Sequence, residues 1–550
     1  LNSKVYSTTH RFVSHTVKNK TASLGSLRSI SSFASDYKYK KVSYKYEDMD
    51  QPIDFSVPKV GLYTEGSMLT EKLWEAGEQR MYLRTLYTKK LTMPLKLKSF
   101  TIEENGHSKT VENTKWDFIT GAVEETEYEN AYGDRYRTKV VPAYKKYDKM
   151  GHILWDKNNK HMLSKPAAKY LYVKDESDNS WDLIAASADV WSNQWNYREY
   201  NETTDQWEWS GIYTNDAWRI KGSYAWKALI NPDGTYVEDA NSSNKFVDFD
   251  WTNPTSNSNW VSSGSIEKYN HNSVMIENKS TRGIYSTQRT DNSNLYSVVQ
   301  ASAAKYAEVL YSGAEDKLTP HGNEWYFNQE VLLGAGSSIE TTIENVHTGK
   351  KALKINQAGF GFVYRTNDVG GDIDVNRSYQ VSVWVKNALN VAIRPTSAMV
   401  HVQYRQGGKS GTILHAQDYY LSQNNSLKAG DWYLFTVDLP KHNGTSIDIQ
   451  SADYMEIQTR CMGASGEKIY VDDFRFYPLT STVTTTVYDY KNGLKTAVLN
   501  NLNIASKVTY DFAGKAIKVE QEVFDSEASD GVGGFKTKVE KKYNYGPDLN

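Results

Sequence analysis

The sequence predicts an all-β protein built mainly from antiparallel strands, and three observations carry this. Period-two alternation rich in Val, Ile, Thr, Tyr and Trp recurs over Leu95–Ile102, Ser378–Val385, Trp432–Leu439 and Thr482–Tyr490. Turn dipeptides separate such runs at Asn105-Gly106, Asp233-Gly234 and Asn492-Gly493, supplying residues that tolerate the positive φ of tight hairpins. Helical periodicity is scarce: the best amphipathic candidate lies near Ala301–Leu310 and stops by Gly313.

The chain has 550 residues, which at roughly 100–200 residues per domain suggests three or so domains. With 64 Lys plus Arg against 66 Asp plus Glu the net charge is -2, which argues against nucleic acid as the main partner. A single cysteine, Cys461, excludes a disulfide framework and any Cys-based zinc or iron–sulfur site, and reads as a small apolar residue. No apolar run is long enough for a membrane-spanning helix. The chain opens at Leu1 without a basic-then-apolar leader. The expectation is a processed or internal piece of a longer polypeptide, whose remainder is its first partner.

Composition divides the sequence into three zones. Residues 1–310 are rich in Tyr, Trp and charge; 311–478 are richer in Gly, Val and Ile; 479–550 are rich in Thr, Lys and Tyr. Nine of the 15 Trp fall within 181–260: Trp181, Trp191, Trp195, Trp207, Trp209, Trp218, Trp226, Trp251 and Trp260. A thin hairpin array needs large rings to cover it, so packing is the expected role of this cluster.

The last zone holds an internal repeat. Val487-Tyr488-Asp489-Tyr490 leads into Asn492-Gly493, and Thr509-Tyr510-Asp511-Phe512 leads into Gly514, a spacing of about 20 residues that marks stacked units. The Asp is expected to hydrogen-bond the turn backbone and the Gly to open positive φ. These units resemble the YD repeats of the RHS family. Trp116-Asp117-Phe118-Ile119-Thr120-Gly121 resembles a divergent unit. The stretches Val140–Tyr144, Ser223–Trp226 with Asn231–Tyr236, and Ser302–Glu308 with Tyr311–Asp316 are similar to large RHS-like surface proteins of Bacteroidetes. The resemblance implies a segment of a long exported protein, secreted or at the cell surface (associated with the outer membrane), through type IX secretion. Its β-hairpins would form the shell or scaffold of an adhesin or toxin-delivery protein. No autoproteolysis region, toxin or sorting domain is recognisable.

The middle zone resembles carbohydrate-binding-like jelly rolls. The matching strands, in order, are Val346-His347-Thr348-Gly349-Lys350 leading to Ile355, Asn376–Val385, Asp431–Phe435, and Ile469-Tyr470-Val471-Asp472-Asp473-Phe474. The predicted architecture is therefore an RHS/YD-type antiparallel β-hairpin array over 1–310, an inserted jelly-roll β-sandwich over 311–478, and YD-repeat hairpins over 479–550. The resemblance also implies one structural Ca2+, with Glu315, Asp316 and Asp473 as ligands, since such modules bring first and last strands together and calcium takes hard oxygens.

A glycan-binding face requires exposed rings with amides and carboxylates beside them. The candidates are Phe360, Phe362, Tyr364, Tyr404, Tyr419 and Tyr420, with Gln403 and Asp418 nearby. The alternation of Phe360, Phe362 and Tyr364 places them on one strand face, which fits a core stripe as well as a binding platform. Trp384 and Trp432 read as core. Asp372-Ile373-Asp374-Val375-Asn376 imitates the start of an EF-hand loop, but Arg377 and Val383 stand where Gly and Glu are needed. Gly334-Ala335-Gly336 is followed by a strand pattern, not the helix of a dinucleotide fingerprint. There is no H-E-x-x-H, P-loop or G-x-S-x-G. The expected work is binding and scaffolding without catalysis: first a structural shell segment, then a glycan-binding module for attachment, and last a polysaccharide-active enzyme.

Overall fold

A computed structural model describes residues 27–34, 37–46, 63–75, 80–92, 96–175, 179–214, 216–227, 246–321, 323–327, 330–390, 393–423 and 427–543. These contain β-strands and short 3-10 turns and no α-helix, so the fold is all-β. The strand pairs are antiparallel throughout the named ladders. The expected turn at Asp233-Gly234 lies outside the described residues. No helix is long and apolar enough to cross a membrane among the described residues. The chain divides into two compact units, Leu1–Trp191 with Ile220–Ser263, and Ser192–Arg219 with Gly264–Asn550.

In the first unit Tyr37–Tyr46 pairs with Ser29–Ala34 and with Leu97–Glu104. A meander then runs through His107–Trp116, Val123–Glu129, Arg135–Pro142, Pro166–Lys174 and the strand from Trp181. Asn105 and Gly106 adopt φ of 50° and 82°. Asp117 closes its turn by accepting the Thr120 N–H at 2.8 Å, with Gly121 at φ 70°. The apolar core of this unit is small and aromatic: Tyr170, Leu183, Trp226, Phe249 and Trp260 pack with alanines, Trp226 and Trp260 being 5.5 Å apart edge to face. This is the packing expected of the Trp cluster.

The second unit combines a meander with a β-sandwich. Met275–Lys279, Tyr285–Thr290 and Ser297–Ser302 form successive hairpins. Ser297–Ser302 then pairs with Thr482–Asp489, Val299 standing opposite Thr485. The meander continues through Leu494–Leu499, Ala505–Tyr510, Ala516–Val523 and Gly534–Glu540. The sandwich is thus inserted between two neighbouring strands of one ladder.

One sheet of the sandwich has the order Ser337–Glu340, Ala352–Asn356, Lys468–Pro478, Tyr379–Asn387, Trp432–Asp438, Leu427–Ala429, with Leu310–Ser312 also on Lys468–Pro478. The other has the order Lys317–His321, Glu324–Phe327, Val331–Leu333, Phe360–Thr366, Tyr454–Cys461, Ala398–Gln406, Thr412–Tyr420. The chain passes repeatedly between the sheets, as from Ala352–Asn356 to Phe360–Thr366, Tyr379–Asn387 and Ala398–Gln406, so the two sheets form one β-sandwich. Phe362, Tyr364, Val400, Val402, Ile457, Phe474 and Phe476 fill the space between, Phe362 stacking on Phe474 at 5.5 Å. Each buried side chain of this size stabilises the fold by roughly 1.5–3 kcal/mol. Cys461 is buried in the same core, where burial raises its thiol pKa.

One expectation is corrected. The segment Ala301–Leu310 is not helical: the strand runs through Ser302, Ala303 adopts φ 57°, and one 3-10 turn, Tyr306–Glu308, precedes Leu310–Ser312. Ladder pairing takes its first residues, and the left-handed Ala303 interrupts the remainder. Trp384 and Trp432 are core residues as expected, in a second cluster outside the space between the two sheets. They lie with Leu434 and Tyr470 on the other face of their sheet, against Phe524 of the meander, and the Trp384 indole N–H donates to Asn503 O at 2.8 Å.

Candidate functional site

The predicted site residues separate by strand parity. Phe362 and Tyr364 are wholly buried between the sheets and Tyr404 is 3% exposed, so no ligand reaches them. Tyr419 stands opposite Val400 and packs against the core edge. Phe360 does not share their face: the ladder shifts register between Phe360 and Val363, and the ring joins Tyr326, Leu332 and Val363 on the sheet's outer side. The expectation that Phe360, Phe362 and Tyr364 form one stripe fails at that bulge, because one unpaired residue reverses parity.

The outer side of the second sheet is the candidate site, and register orders it into rows. Phe360, Arg460, Met399 and Tyr420 lie side by side; then Val363, Gln458, His401 and Asp418; then Arg365, Glu456, Gln403 and Ala416; then Tyr454 and Arg405. Alternation explains them: Glu456, Gln458 and Arg460 interleave with Met455, Ile457 and Thr459, and His401, Gln403 and Arg405 with Val400, Val402 and Tyr404. That period-two polar series is open to sequence reading, but a search for aromatic rings alone passes over it.

Glu456 organises the floor. It accepts Arg365 Nε at 2.6 Å, Tyr454 Oη at 3.0 Å, Gln403 Nε2 at 3.0 Å and, at short range, Gln458 Nε2. The network extends outwards: Arg460 Nε donates to Gln458 Oε1 at 2.6 Å and Arg405 Nη2 to Gln403 Oε1 at 3.2 Å. Arg365 also pairs with Glu324 at 2.9 Å, and His401 Nδ1 meets Asp418 at 2.5 Å. Burial opposes the charge on Arg365, but Glu456 and Glu324 outweigh it and hold its pKa above the ordinary value. On Arg460 burial dominates and lowers the pKa.

One half of this face is covered from within the unit. The hairpin Trp195–Asn201/Gln206–Tyr213 sets Tyr200 and Trp207 against Tyr326, with ring centroids 5.4 and 6.2 Å away. Buried Arg198 pairs with Glu330 and Asp368 at 2.9 Å each, and Arg289 reaches Glu330 at 3.1 Å, so the hairpin is anchored by fully paired charge.

The residues implied for calcium are engaged by hydrogen-bond donors of the chain itself. The closing strand bulges where Ser382 and Trp384 stand opposite Arg475 and Asp472, and Asp473 takes φ 50°. The bulge turns consecutive carboxylates to one seam, where Asp472 and Asp473 are both fully buried. Asp473 accepts Tyr311 Oη at 2.7 Å and Thr348 Oγ1 at 2.8 Å and faces His347 Nδ1 at 2.7 Å. Asp472 accepts the His347 N–H at 2.9 Å. Glu315 accepts the Lys351 N–H at 2.8 Å and the Lys350 N–H at 2.5 Å, and Asp316 accepts the Asn292 N–H at 2.8 Å. The carboxylates are surrounded by donors, whereas calcium needs six to eight oxygen ligands. Among the described residues no group of three or more His, Cys, Asp or Glu is arranged to hold a metal ion. Asp372, in the EF-hand-like stretch, is spent on Lys268 and Lys305.

The carboxylates instead build a buried clamp between the sandwich and the meander. His347 bridges Asp473 and, through Nε2 at 2.6 Å, Glu522, and it stacks on Trp384 at 4.2 Å. Burial alone would lower the His347 pKa; Glu522 and Asp473 outweigh it and hold it above the ordinary value.

No family model matches this chain, and no curated protein matches it. Solved structures similar to it include the CBM22-1 xylan-binding domain of Xyn10C from Paenibacillus barcinonensis, at 13% identity and TM-score 0.20, covering 28% of this chain and 86% of that one. A family 11 carbohydrate-binding module from Clostridium thermocellum, in complex with a β-1,3-1,4-mixed-linked tetrasaccharide, aligns at 10% identity and TM-score 0.17, covering 31% and 95%. The K1 cleaved adhesin domain of Lys-gingipain from Porphyromonas gingivalis aligns at 12% identity and TM-score 0.16, covering 30% and 96%. At these values the sandwich assignment rests on the chain's own strand pairing. None of these three is an RHS or YD-repeat protein.

Proposed function

We propose that this chain is a non-catalytic polysaccharide-binding module carried on a β-meander, acting outside the cell in attachment. One observation carries the reading: the second sheet's outer face holds a polar network whose amides, carboxylate and guanidinium groups fix one another, with Phe360 and Tyr420 at the two ends of one row. Sugar hydroxyls need donors and acceptors already in place, and pyranose faces need rings beside them. A floor held by Glu456 keeps its geometry without the ligand, which limits the ordering cost of binding.

The full chain should bind at least one member of a plant, algal or bacterial polysaccharide panel in affinity electrophoresis. Glu456→Ala, which releases four donors, should weaken that binding while the chain remains folded by circular dichroism. Absence of binding across the panel refutes the reading.

The insertion between paired strands supports a scaffolding role for the meander within a longer exported polypeptide. In that role the meander strands around Val299 and Thr485 should survive limited proteolysis of the full chain together with the sandwich. Early cleavage within those strands would count against it.

A further inference from the structure

We infer that the polysaccharide taken by this face carries uronic acids, and that Arg460 holds the carboxylate. The inference rests on the glycan-binding reading and adds the ligand's charge.

Three carboxylates and three guanidinium groups stand on or beside the floor, and they are unevenly paired. Glu456 and Glu324 are both taken by Arg365, and Asp418 by His401. Arg405 directs Nη1 to Gly411 O at 2.9 Å and Nη2 to Gln403. Arg460 has no carboxylate within ion-pair distance among the described residues, and its one hydrogen bond there is from Nε to Gln458. Its terminal nitrogens remain as an open fork.

That fork is held in position. Gln458 is anchored by Glu456, and the Arg460 guanidinium lies over the Phe360 ring, 4.9 Å from its centroid. A guanidinium fixed at Nε and against a ring leaves two parallel N–H bonds for a planar carboxylate, the geometry in which arginine outperforms lysine. Tyr420 ends the row that Arg460 and Phe360 share, so a pyranose lying on the Tyr420 ring can direct an equatorial carboxylate towards the arginine. Half-buried and unpaired, the charge on Arg460 gains from an anion, because partial removal from water makes an uncompensated charge costly. The nearest negative groups, Glu456 and Asp418, hydrogen-bond to Arg365 and His401 and not to Arg460.

The test compares the full chain with homopolymers of uronic acid, with neutral polymers of matched linkage and with sulfated polymers, by isothermal titration calorimetry at low and high salt. Uronate binding that weakens with salt, falls by roughly 10- to 100-fold in Arg460→Gln, and is only partly kept in Arg460→Lys supports the inference. Arg282→Gln, in an exposed turn of the meander, should leave it unchanged. If neutral or only sulfated polymers bind, the inference is overturned and the glycan reading stands. If uronates bind equally well to Arg460→Gln, Arg460 is not the group that holds them. If no polymer of any charge binds, the glycan reading itself fails. Should Arg460→Gln fail to fold, Arg460→Lys decides: unchanged uronate affinity there removes the role of the fork.

Discussion

Strand Lys468–Pro478 of the sandwich is buried at every position after its first, whereas Gly534–Glu540 of the meander has no buried residue. Both belong to the same unit and both are antiparallel. The sandwich strand is covered on two faces, by the second sheet and by the meander. The meander strand is only partly covered, where Phe535 packs beside His347. One chain therefore contains a region with a thick apolar core and another with a smaller one, built from residues such as Val299, Val483, Val487 and Leu499. The difference predicts where substitutions should matter.

The largest contrast should come from paired aromatic truncations. Phe362→Ala empties a site enclosed by both sheets and should cost about 3–5 kcal/mol. Phe512→Ala, at a side chain 81% exposed on a meander turn, should change stability by less than about 0.5 kcal/mol. Guanidinium unfolding of the full chain measures both, and equal effects would break the comparison.

The seam between the two regions should show the next largest effect. Glu522 is 4% exposed and faces His347. Glu522→Gln leaves the imidazole with a weaker partner and should cost about 3 kcal/mol, in the range for breaking buried pairs. The seam also sets a pH dependence. His347 is held above its ordinary pKa, so its contribution is complete below about 6.5 and is lost as pH rises through the raised value. Burial raises Glu315 to about 7 against the lowering effect of the Lys350 and Lys351 amides. Burial and the charge of Asp473 push Asp472 well up. All three groups bind protons more tightly in the folded chain, so stability falls with rising pH in that range. Asp473 opposes this on the acid side: burial would raise it, but His347, Tyr311 and Thr348 hold it low, so its contribution is lost as pH falls through that depressed value. The thermal midpoint should therefore decline between about pH 6 and 8, and His347→Gln should flatten that decline. A midpoint that rises over the same interval would contradict the protonated clamp.

These contrasts track the limits of sequence reading. Period-two strands and Asn-Gly turns were legible because they depend on neighbours in the chain. The strands around Ser378–Val385 and Thr482–Asp489 form as their patterns indicate. The bulges were not legible. One extra residue near Phe360 moves that ring to the outer face, and another at Asp473 turns two adjacent carboxylates to one side. Neither leaves a mark in composition, and each decides a site. Glu456, Gln458 and Arg460 had a visible alternation, but the pairing that makes them a floor brings together strands far apart in sequence. The Glu522 contact with His347 joins residues separated by most of the sandwich.

The smallest effects should come from the turns, where the meander's specificity resides. Asp511 Oδ1 accepts the Ala513 and Lys515 N–H groups at 3.0 and 2.8 Å, and Gly514 adopts φ 76°. Asp489 does the same for Lys491 at 3.1 Å, with Gly493 at 75°. The local chemistry expected of the Tyr-Asp units is thus present, whatever larger assembly they serve. Asp511→Ala removes two acceptor contacts at an exposed turn and should cost about 1 kcal/mol, and Gly514→Ala about 1–2 kcal/mol for forcing a side chain into left-handed backbone. In a thick-cored region such losses disappear within the stability of the whole. In the meander they should appear locally, as faster amide exchange in Ala505–Tyr510 and Ala516–Val523 with the sandwich strands unchanged. Equal acceleration in Lys468–Pro478 would mean that the two regions open as one, and that the seam at His347 couples them more tightly than their separate cores imply.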